Sequence, residues 1–374
     1  RYGIRSHIDT VTDGRANLIV TVGSSQPVIG ISGHMDVVSE GNHDHWTYDP
    51  FTLTEDQGYL YGRGAADMKS GLAALAIALI EIKESGKLTQ GTIKFMATVG
   101  EEMEQSGSQQ LFEKGYADDL DALLIAEPSF PSLVYAHKGS MDFRIKSKGR
   151  ASHSSIPFLG QNAIKPLLEF IQNINQEYEK IMQTVKGESL DFSNMINKLE
   201  NQLPNHITKE KAQELIQGLV MTNSIVQGGT QVNSVPDFAT AEFNVRTIPE
   251  YNNNKVKALF NKYVEQANHN GASLTQELYL DLEPVVTTGQ NRLVELGFDI
   301  AKSHFSNERD LIITPTVAVT DASNLLKGKD ENFPFLMFGP GNGPHQINEC
   351  VEKVNYLEFV EYYIEFITSY LNEK

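Results

Sequence analysis

The sequence predicts an α/β fold in which a mostly parallel sheet is sandwiched by helices and an α+β domain is inserted into the chain. Short runs that are apolar on both faces alternate with helical patterns or loops, as expected of parallel strands covered on both sides. In the middle of the chain the order becomes βαββαβ, which is that of a ferredoxin-like unit. The expected ranges are 1–138 and 283–374 for the main domain and 139–282 for the insert.

The main domain is predicted from five apolar runs and two helical segments. The runs are ANLIVTV (16–22), PVIGIS (27–32), TIKFMATV (92–99), DALLIA (121–126) and FPFLMF (333–338). The clearest helix is DMKSGLAALAIALIEIKESGK, with Asp67 as a candidate N-cap and Gly86 as a candidate stop. The last segment, NYLEFVEYYIEFITSYLNEK, predicts an amphipathic closing helix.

The insert is predicted from four strand-like segments and two helices. The strands are expected at 141–149, 221–229, 240–249 and 273–281. The helices are NAIKPLLEFIQNINQEYEKIMQ and YNNNKVKALFNKYVEQAN. A polar segment, 186–215, lies between them and is expected to be helical or irregular and mainly exposed.

The bulk composition excludes several classes of protein. Acidic residues outnumber basic ones by 48 to 31, which gives a formal net charge of −17. This argues against a nucleic-acid binder, which needs a basic face, and against docking on anionic membranes. No apolar run reaches 18 residues, and the single cysteine, Cys350, cannot form an intrachain disulfide. We therefore expect a cytoplasmic protein.

Acidic and imidazole side chains follow the apolar strands. They come after PVIGIS, TIKFMATV, DALLIA and FPFLMF and at the head of the long helix, and they are His34, Glu101, Glu102, Glu127, His345 and Asp67. Ligand sites in open α/β sheets lie at the carboxyl ends of the strands. We therefore expect these side chains to meet at one edge of the sheet.

Such a cluster predicts bound metal ions. Crowded carboxylates repel one another and burial disfavours each charge, so that protons or a cation must compensate. Neutral imidazoles among carboxylates favour a zinc-type ion over calcium or magnesium. The five candidate ligands are His34, Asp67, Glu102, Glu127 and His345. Five are too many for one open tetrahedral ion and suit two ions that share a carboxylate.

Competing motifs do not fit. GRGAAD begins like a dinucleotide-binding GxGxxG motif, but Asp67 occupies the third glycine position, where a carboxylate would face a pyrophosphate. GPGNGP lacks the Lys-Ser/Thr of a P-loop, and neither HExxH nor GxSxG occurs in the chain.

Six motifs carry a resemblance to a known family: GHMDVV, YGRGAADMKSG, TVGEE, AEP, GRASHSSIPFLGQNAI and GPGNGPHQINE. In this order, over nearly the whole chain, they resemble the succinyl-diaminopimelate desuccinylases, acetylornithine deacetylases, aminoacylases and carboxypeptidase G. The resemblance implies a zinc-exopeptidase-like catalytic domain, a dimerisation or lid role for the insert, and a homodimer. It also implies two Zn²⁺ per subunit, with Co²⁺ or Mn²⁺ as substitutes. Relatives carry a helix before the strand that RYGIRS enters, so a natural N-terminal segment is expected to be missing.

The resemblance also assigns the metal ligands. It implies that one zinc is held by His34, Asp67 and Glu127. The other would be held by Asp67, Glu102 and His345, so that Asp67 bridges the two ions.

Further roles follow from the same resemblance. Glu101 would be the general base, and Asp36 would orient His34, because residues two apart share a strand face. His153, in GRASHSS, matches a histidine that relatives extend into the active site of the partner subunit, where it stabilises the oxyanion. Asn233 and Arg246 resemble residues that bind the substrate carboxylate.

The resemblance leaves several substrates open. The chain's size, GHMDVV and GRGAADMKSG favour the desuccinylases, which convert N-succinyl-LL-2,6-diaminoheptanedioate to succinate and LL-diaminopimelate, a precursor of lysine and peptidoglycan. No stretch separates this activity from that of an acetylornithine deacetylase, an aminoacylase or a small dipeptidase or carboxypeptidase. A non-catalytic metal-binding relative would be expected to lack Glu101 or some ligands, and all are present. The segment 186–215 is longer than the corresponding part of compact relatives, so the resemblance leaves the geometry of the lid and the size of the substrate open.

Overall fold

The computed structural model describes residues 2–305, 310–341 and 343–372. Its strands are β1 (Ser6–Thr12), β2 (Arg15–Gly23), β3 (Val28–His34), β4 (Thr54–Asp56), β5 (Tyr59–Tyr61), β6 (Thr92–Thr98), β7 (Ala122–Pro128), β8 (Ser132–His137), β9 (Gly139–Lys148), β10 (Val220–Gly228), β11 (Phe238–Thr247), β12 (Leu274–Leu282), β13 (Ile312–Thr316), β14 (Phe335–Gly339) and β15 (Cys350–Glu352). Its α-helices are α1 (Ser70–Ser85), α2 (Ser106–Glu113), α3 (Ile164–Thr184), α4 (Ser193–Leu199), α5 (Lys209–Gln217), α6 (Asn253–His269), α7 (Arg292–His304), α8 (Ala322–Leu325) and α9 (Lys353–Asn372).

The chain forms two compact units. The first comprises Arg1–Ala136, Val286–Pro315 and Thr320–Lys374. The second comprises His137–Val285 together with the short segment Thr316–Val319. Within the second unit, the backbone N–H of Lys138 donates to the carbonyl oxygen of Thr316 at 3.2 Å. The chain therefore passes into the second unit twice.

The first unit is built on a mixed sheet of eight strands in the order β1-β2-β6-β3-β7-β14-β8-β13. Its four central strands, β6, β3, β7 and β14, run parallel, whereas β1 with β2, β2 with β6 and β14 with β8 are antiparallel. The predicted α/β class is confirmed. β1 and β2 are antiparallel because a connection as short as the one between them can form only a hairpin.

Helix α1 covers the central strands and begins later than expected. Its buried side chains, among them Ala74, Leu75, Ala78 and Leu79, recur at helical spacing, and Gly86 ends it in the left-handed conformation (φ 66°). A Cβ at Gly71 would lie 2.0 Å from the Ala126 carbonyl oxygen, so only glycine permits this approach to β7. The predicted capping role of Asp67 is wrong, because the helix begins at Ser70 and Asp67 has extended dihedrals (φ −115°, ψ 99°).

The second unit has a four-stranded antiparallel sheet in the order β10-β11-β9-β12. With α3 and α6 this is the ferredoxin-like arrangement. Its core includes stacked rings of Phe143 and Phe260, whose centroids are 4.1 Å apart, and the edge of Phe243. The segment 186–215 contains α4 and part of α5, and Leu190 and Phe192 are buried.

Two further features complete the fold. β15, β5 and β4 form a separate antiparallel sheet in that order, which the sequence did not predict because each strand has only three residues. Over the described parts of the chain, every helix falls short of the length or apolarity needed to cross a bilayer.

Candidate metal centre

Three parallel strands bring the predicted ligands to one edge of the central sheet. β3 ends at His34, which pairs in register with Thr98, the last residue of β6. The chain after β6 carries Glu101 and Glu102, and Glu127 lies near the end of β7, on the other side of β3. The carboxyl ends of neighbouring parallel strands lie side by side, which explains why residues far apart in sequence meet here.

Asp67 lies between the two histidines. Its Oδ1 is 3.1 Å from Nε2 of the fully buried His34, and its Oδ2 is 3.2 Å from Nε2 of the half-exposed His345. The wide turn Ala65–Lys69, rather than a regular helix start, projects this side chain toward both imidazoles. One carboxylate thus faces two imidazoles with separate oxygens, as a bridging ligand would.

Each histidine has a second carboxylate beside it. Nε2 of His34 is 3.6 Å from Glu127 Oε1 and 4.0 Å from Glu101 Oε2. Nε2 of His345 is 3.0 Å from Glu102 Oε2. Ligand-type atoms of His34, Asp67 and Glu102 lie within 4.8 Å of one another, as do those of His34, Glu101 and Glu127.

The acidic groups of the cluster cannot all ionise without compensation. Burial raises the pKa of Glu127 to about 8, and burial together with the charge of Glu127 raises the pKa of Glu101 well above its usual value. Burial and the charge of Asp67 also raise the pKa of Glu102. Burial disfavours the imidazolium of His34, but the nearby carboxylates, Glu127 foremost, raise its pKa above the usual range. Without a metal, protons must therefore hold the cluster together.

The donor set fits divalent metal ions. A cation would replace the protons that the buried carboxyl groups otherwise retain, and imidazole with carboxylate is a ligand set of zinc-type ions. Two histidines with one carboxylate between them, and a further carboxylate beside each, are side chains of the kind that hold such ions.

Asp36 contacts the cluster in two ways. Its main-chain oxygen lies 2.9 Å from Nδ1 of His34, whereas its carboxylate is 3.9 Å from that nitrogen. The carboxylate instead accepts hydrogen bonds from the backbone N–H groups of Gly100, Glu101 and Glu102, at 2.7, 3.3 and 3.2 Å. The main chain of Asp36 therefore faces the ligand, while its side chain orders the loop that carries both glutamates.

We expect Asp36→Asn to lower kcat by about 10- to 100-fold, with a smaller effect on KM. In the wild type, three N–H groups of the loop share the two carboxylate oxygens of Asp36, whereas the amide of the variant has only one acceptor oxygen. Steady-state kinetics would measure the loss, and Asp44→Asn, at an exposed aspartate of the same unit, is the matched control. Wild-type kcat in Asp36→Asn would show that the loop does not depend on this carboxylate.

Gln105 is a neighbour of the site that the sequence did not reveal. It is fully buried, and its Nε2 donates to Oε1 of Glu101 at 2.9 Å. Asn324 Nδ2 lies 3.3 Å from Gln105 Oε1. Gln105 adopts a left-handed conformation (φ 52°), and a lone glutamine in a loop gives no sequence signal of this contact.

Three predicted residues, His153, Asn233 and Arg246, belong to the second unit. His153 and Asn233 are exposed and lie on adjacent loops, where the N–H of Ser154 donates to the carbonyl oxygen of Asn233 at 3.0 Å. Arg246 lies on β11 and is partly buried. Its Nη1 is buried without a hydrogen-bond partner among the described residues, and burial lowers the pKa of the guanidinium.

Known proteins resemble this chain over nearly its whole length. The model of peptidase family M20/M25/M40 matches residues 30–369. A probable succinyl-diaminopimelate desuccinylase of Staphylococcus aureus (strain MRSA252) is 43% identical over 376 residues, which cover 100% of this chain and 91% of that protein.

Solved structures of the same family share the fold. A metallo-carboxypeptidase of Sulfolobus solfataricus superposes with a TM-score of 0.80 at 20% identity and covers 98% of this chain and 90% of its own. A Bacillus subtilis protein described as a dinuclear metal-binding peptidase gives a TM-score of 0.62 at 16% identity, with coverages of 98% and 88%.

Proposed function

The chain belongs to peptidase family M20/M25/M40, and from this premise we propose that it hydrolyses the amide bond of N-succinyl-LL-2,6-diaminoheptanedioate to give succinate and LL-diaminopimelate. The observation that carries the proposal is the position of Asp67 between His34 and His345, with Glu101, whose side chain is 10% exposed, beside them. This arrangement suits metal-dependent hydrolysis of an amide. The substrate follows from the 43% identical relative, whose name gives the same activity.

We propose two Zn²⁺ ions as the resident metals, with Co²⁺ or Mn²⁺ as substitutes. His34, Asp67 and Glu127 would hold one ion, and Asp67, Glu102 and His345 the other. When bound, the ions supply Lewis-acid polarisation of the carbonyl and lower the pKa of a water. The short distances from Asp67 to both imidazoles support the bridging role.

Glu101 moves the proton in this mechanism. Its carboxylate accepts a proton from the attacking water and delivers it to the leaving amine, so that the products are a carboxylate and a free amine. The raised pKa of Glu101, caused first by its burial, suits a group that must hold the proton between these steps. The hydrogen bond from Gln105 fixes one of its oxygens and so orients the other.

We propose that Arg246 and Asn233 bind the carboxylate of an anionic substrate. Nη1 of Arg246 is buried and has no hydrogen-bond partner in the part of the chain that the structure describes, and a guanidinium can bind a carboxylate with two parallel hydrogen bonds. Asn233 would bind the same substrate through its amide. A local cation matters because the net charge of −17 repels an anion at long range.

We further propose a homodimer formed through the second unit. β10 is an edge strand of its sheet, and Ile225, Val226 and Leu168 are exposed apolar side chains of this unit. An unpaired edge with apolar neighbours favours pairing with a second copy. In the dimer, His153 of the partner subunit would stabilise the developing oxyanion. A monomer in size-exclusion chromatography at micromolar concentration would contradict this arrangement.

The net negative charge supports the proposal that the protein binds neither nucleic acid nor anionic membranes. A chain whose single cysteine cannot form an intrachain disulfide also suits a reducing compartment. We therefore place the enzyme in the cytoplasm.

A panel assay tests the substrate. We expect Zn²⁺- or Co²⁺-loaded protein to cleave N-succinyl-diaminopimelate with a kcat/KM about 10²-fold above those for N-acetylornithine, another N-acyl amino acid and a dipeptide. Chelator-stripped protein is the control and should regain turnover when metal is added. Cleavage of the dipeptide alone would make the protein a peptidase and refute the desuccinylase assignment.

A further inference from the structure

The loops that carry Asp67 and His345 are joined at their bases. β5 and β15 pair antiparallel, with Tyr61 opposite Cys350. The chain leaving β5 leads to Asp67, and the chain entering β15 comes from His345. At this junction the N–H of Gly62 donates to the carbonyl oxygen of Glu349 at 3.0 Å.

The side chain of Glu349 extends this junction into the turn that presents Asp67. Its Oε1 accepts hydrogen bonds from the backbone N–H groups of Ala66 and Asp67, at 2.9 and 3.0 Å. Its Oε2 forms an ion pair with Arg63, whose Nη1 also donates to the carbonyl oxygen of Gln346 at 3.2 Å. One carboxylate therefore contacts the turn of one ligand and, through Arg63, the loop of the other.

Because it is buried, the Glu349 carboxylate depends on its hydrogen-bond and ion-pair partners. The side chain of Glu349 is fully buried and that of Arg63 is 3% exposed, so both charges have lost their water. A buried carboxylate is tolerated only when its oxygens are satisfied, and removing one partner of such a pair is strongly destabilising. Arg63 alone would neutralise the charge. The two other donors are the N–H groups of Ala66 and Asp67 in the wide turn. Because Asp67 has non-helical dihedrals, these N–H groups need an acceptor other than a carbonyl of a regular helix, and Glu349 provides it.

We propose that Glu349 is a positioning residue of the metal centre: it fixes the backbone of Ala66 and Asp67 so that the Asp67 carboxylate lies between the two histidines, and through Arg63 it holds the His345 loop in register with that turn. The proposal rests on the metal centre of the proposed function and adds a residue four positions beyond His345 in HQINE. Glu349 touches neither substrate nor reacting atoms and acts through Asp67.

The test compares three variants by titrating metal-free protein with Co²⁺ and following its visible absorption. Glu349→Asp keeps the charge for Arg63, but the side chain is one methylene shorter and cannot serve Arg63 and both N–H groups together. We expect its Co²⁺ affinity to fall by about 10- to 100-fold and kcat to fall with a smaller change in KM. Arg63→Lys keeps both buried charges and leaves the acceptor for the turn in place, so it should lose less affinity than Glu349→Asp.

Glu55→Gln is the matched control, since it removes a carboxylate from the same small sheet, where Glu55 pairs with Lys353 at the surface. Thermal unfolding of the metal-free proteins separates a loss of affinity from a loss of fold. If Glu349→Asp does not fold, Glu349→Gln replaces it, because one amide oxygen cannot serve both the turn and Arg63.

The positioning role would be overturned if a folded Glu349 variant bound Co²⁺ with wild-type affinity. It would also be overturned if the Co²⁺ affinities of all variants simply followed their thermal stabilities. Wild-type protein that binds no Co²⁺ would instead refute the metal centre itself. The two failures are therefore distinguishable.

Discussion

Glu101→Gln is expected to lower kcat by about 10²- to 10⁴-fold while metal content and KM stay close to those of the wild type. The amide has nearly the shape of the carboxylate and can still accept the hydrogen bond from Gln105, but it cannot take a proton from water at neutral pH. Steady-state kinetics and metal analysis of the purified variant would measure both quantities. Glu104→Gln, an exposed carboxylate in the same loop, is the control.

The same variant separates two roles for Glu101. Its carboxylate also lies within 4.0 Å of His34 Nε2, in a group of side chains with metal-ligand geometry. If Glu101→Gln loses metal together with turnover, Glu101 is a ligand rather than the general base. Near-wild-type turnover would exclude it from both roles.

Asp67→Asn is expected to lose both metal ions and to lower kcat by about 10³-fold or more, since Lewis-acid stabilisation contributes several kcal/mol. The variant keeps the size of the side chain but removes the charge that faces both histidines. Metal content after dialysis and residual kcat with excess Zn²⁺ would measure the effect. Asp13→Asn changes an exposed aspartate of the same unit and should leave both quantities unchanged.

The number of ions retained tests the shared ligand specifically. Retention of both ions by Asp67→Asn would contradict a bridging carboxylate. Loss of only one would mean that Asp67 serves a single ion and that the other is held by the remaining groups.

The meeting of the acidic and imidazole side chains at one edge of the sheet was predictable from the sequence, because it follows from the order of the strands along the chain. Continuous apolar runs identify parallel strands, the carboxyl ends of parallel strands meet, and polar residues directly after the runs therefore converge. His34, Glu102 and Glu127 needed no further information to be placed together. The same argument predicts which residues meet, but it gives no distances, because these depend on side-chain packing.

Other parts of the site depend on local geometry that residue types do not encode. An aspartate before a helical pattern reads as a cap, whereas Asp67 lies in a wide turn three residues before the helix and faces the histidines. The Asp36 side chain binds backbone N–H groups 64 to 66 residues further along the chain, a contact that spacing does not reveal. Gln105 reaches Glu101 through an unusual backbone conformation (φ 52°), and Glu349 contacts Ala66 and Asp67, which are distant in sequence, so neither is visible as a sequence pattern.

The second unit is assembled from two separate stretches of the chain, and this limits how it can be exchanged between relatives. A chimera that transplants only His137–Val285 would leave behind Thr316–Val319, including the carbonyl that accepts from Lys138. Recombination at a single pair of breakpoints thus splits a hydrogen-bonded module. Because the acceptor is a main-chain carbonyl, the recipient supplies one of its own, and a hybrid is expected to keep the hydrogen bond when its backbone follows the same path at the position of Thr316.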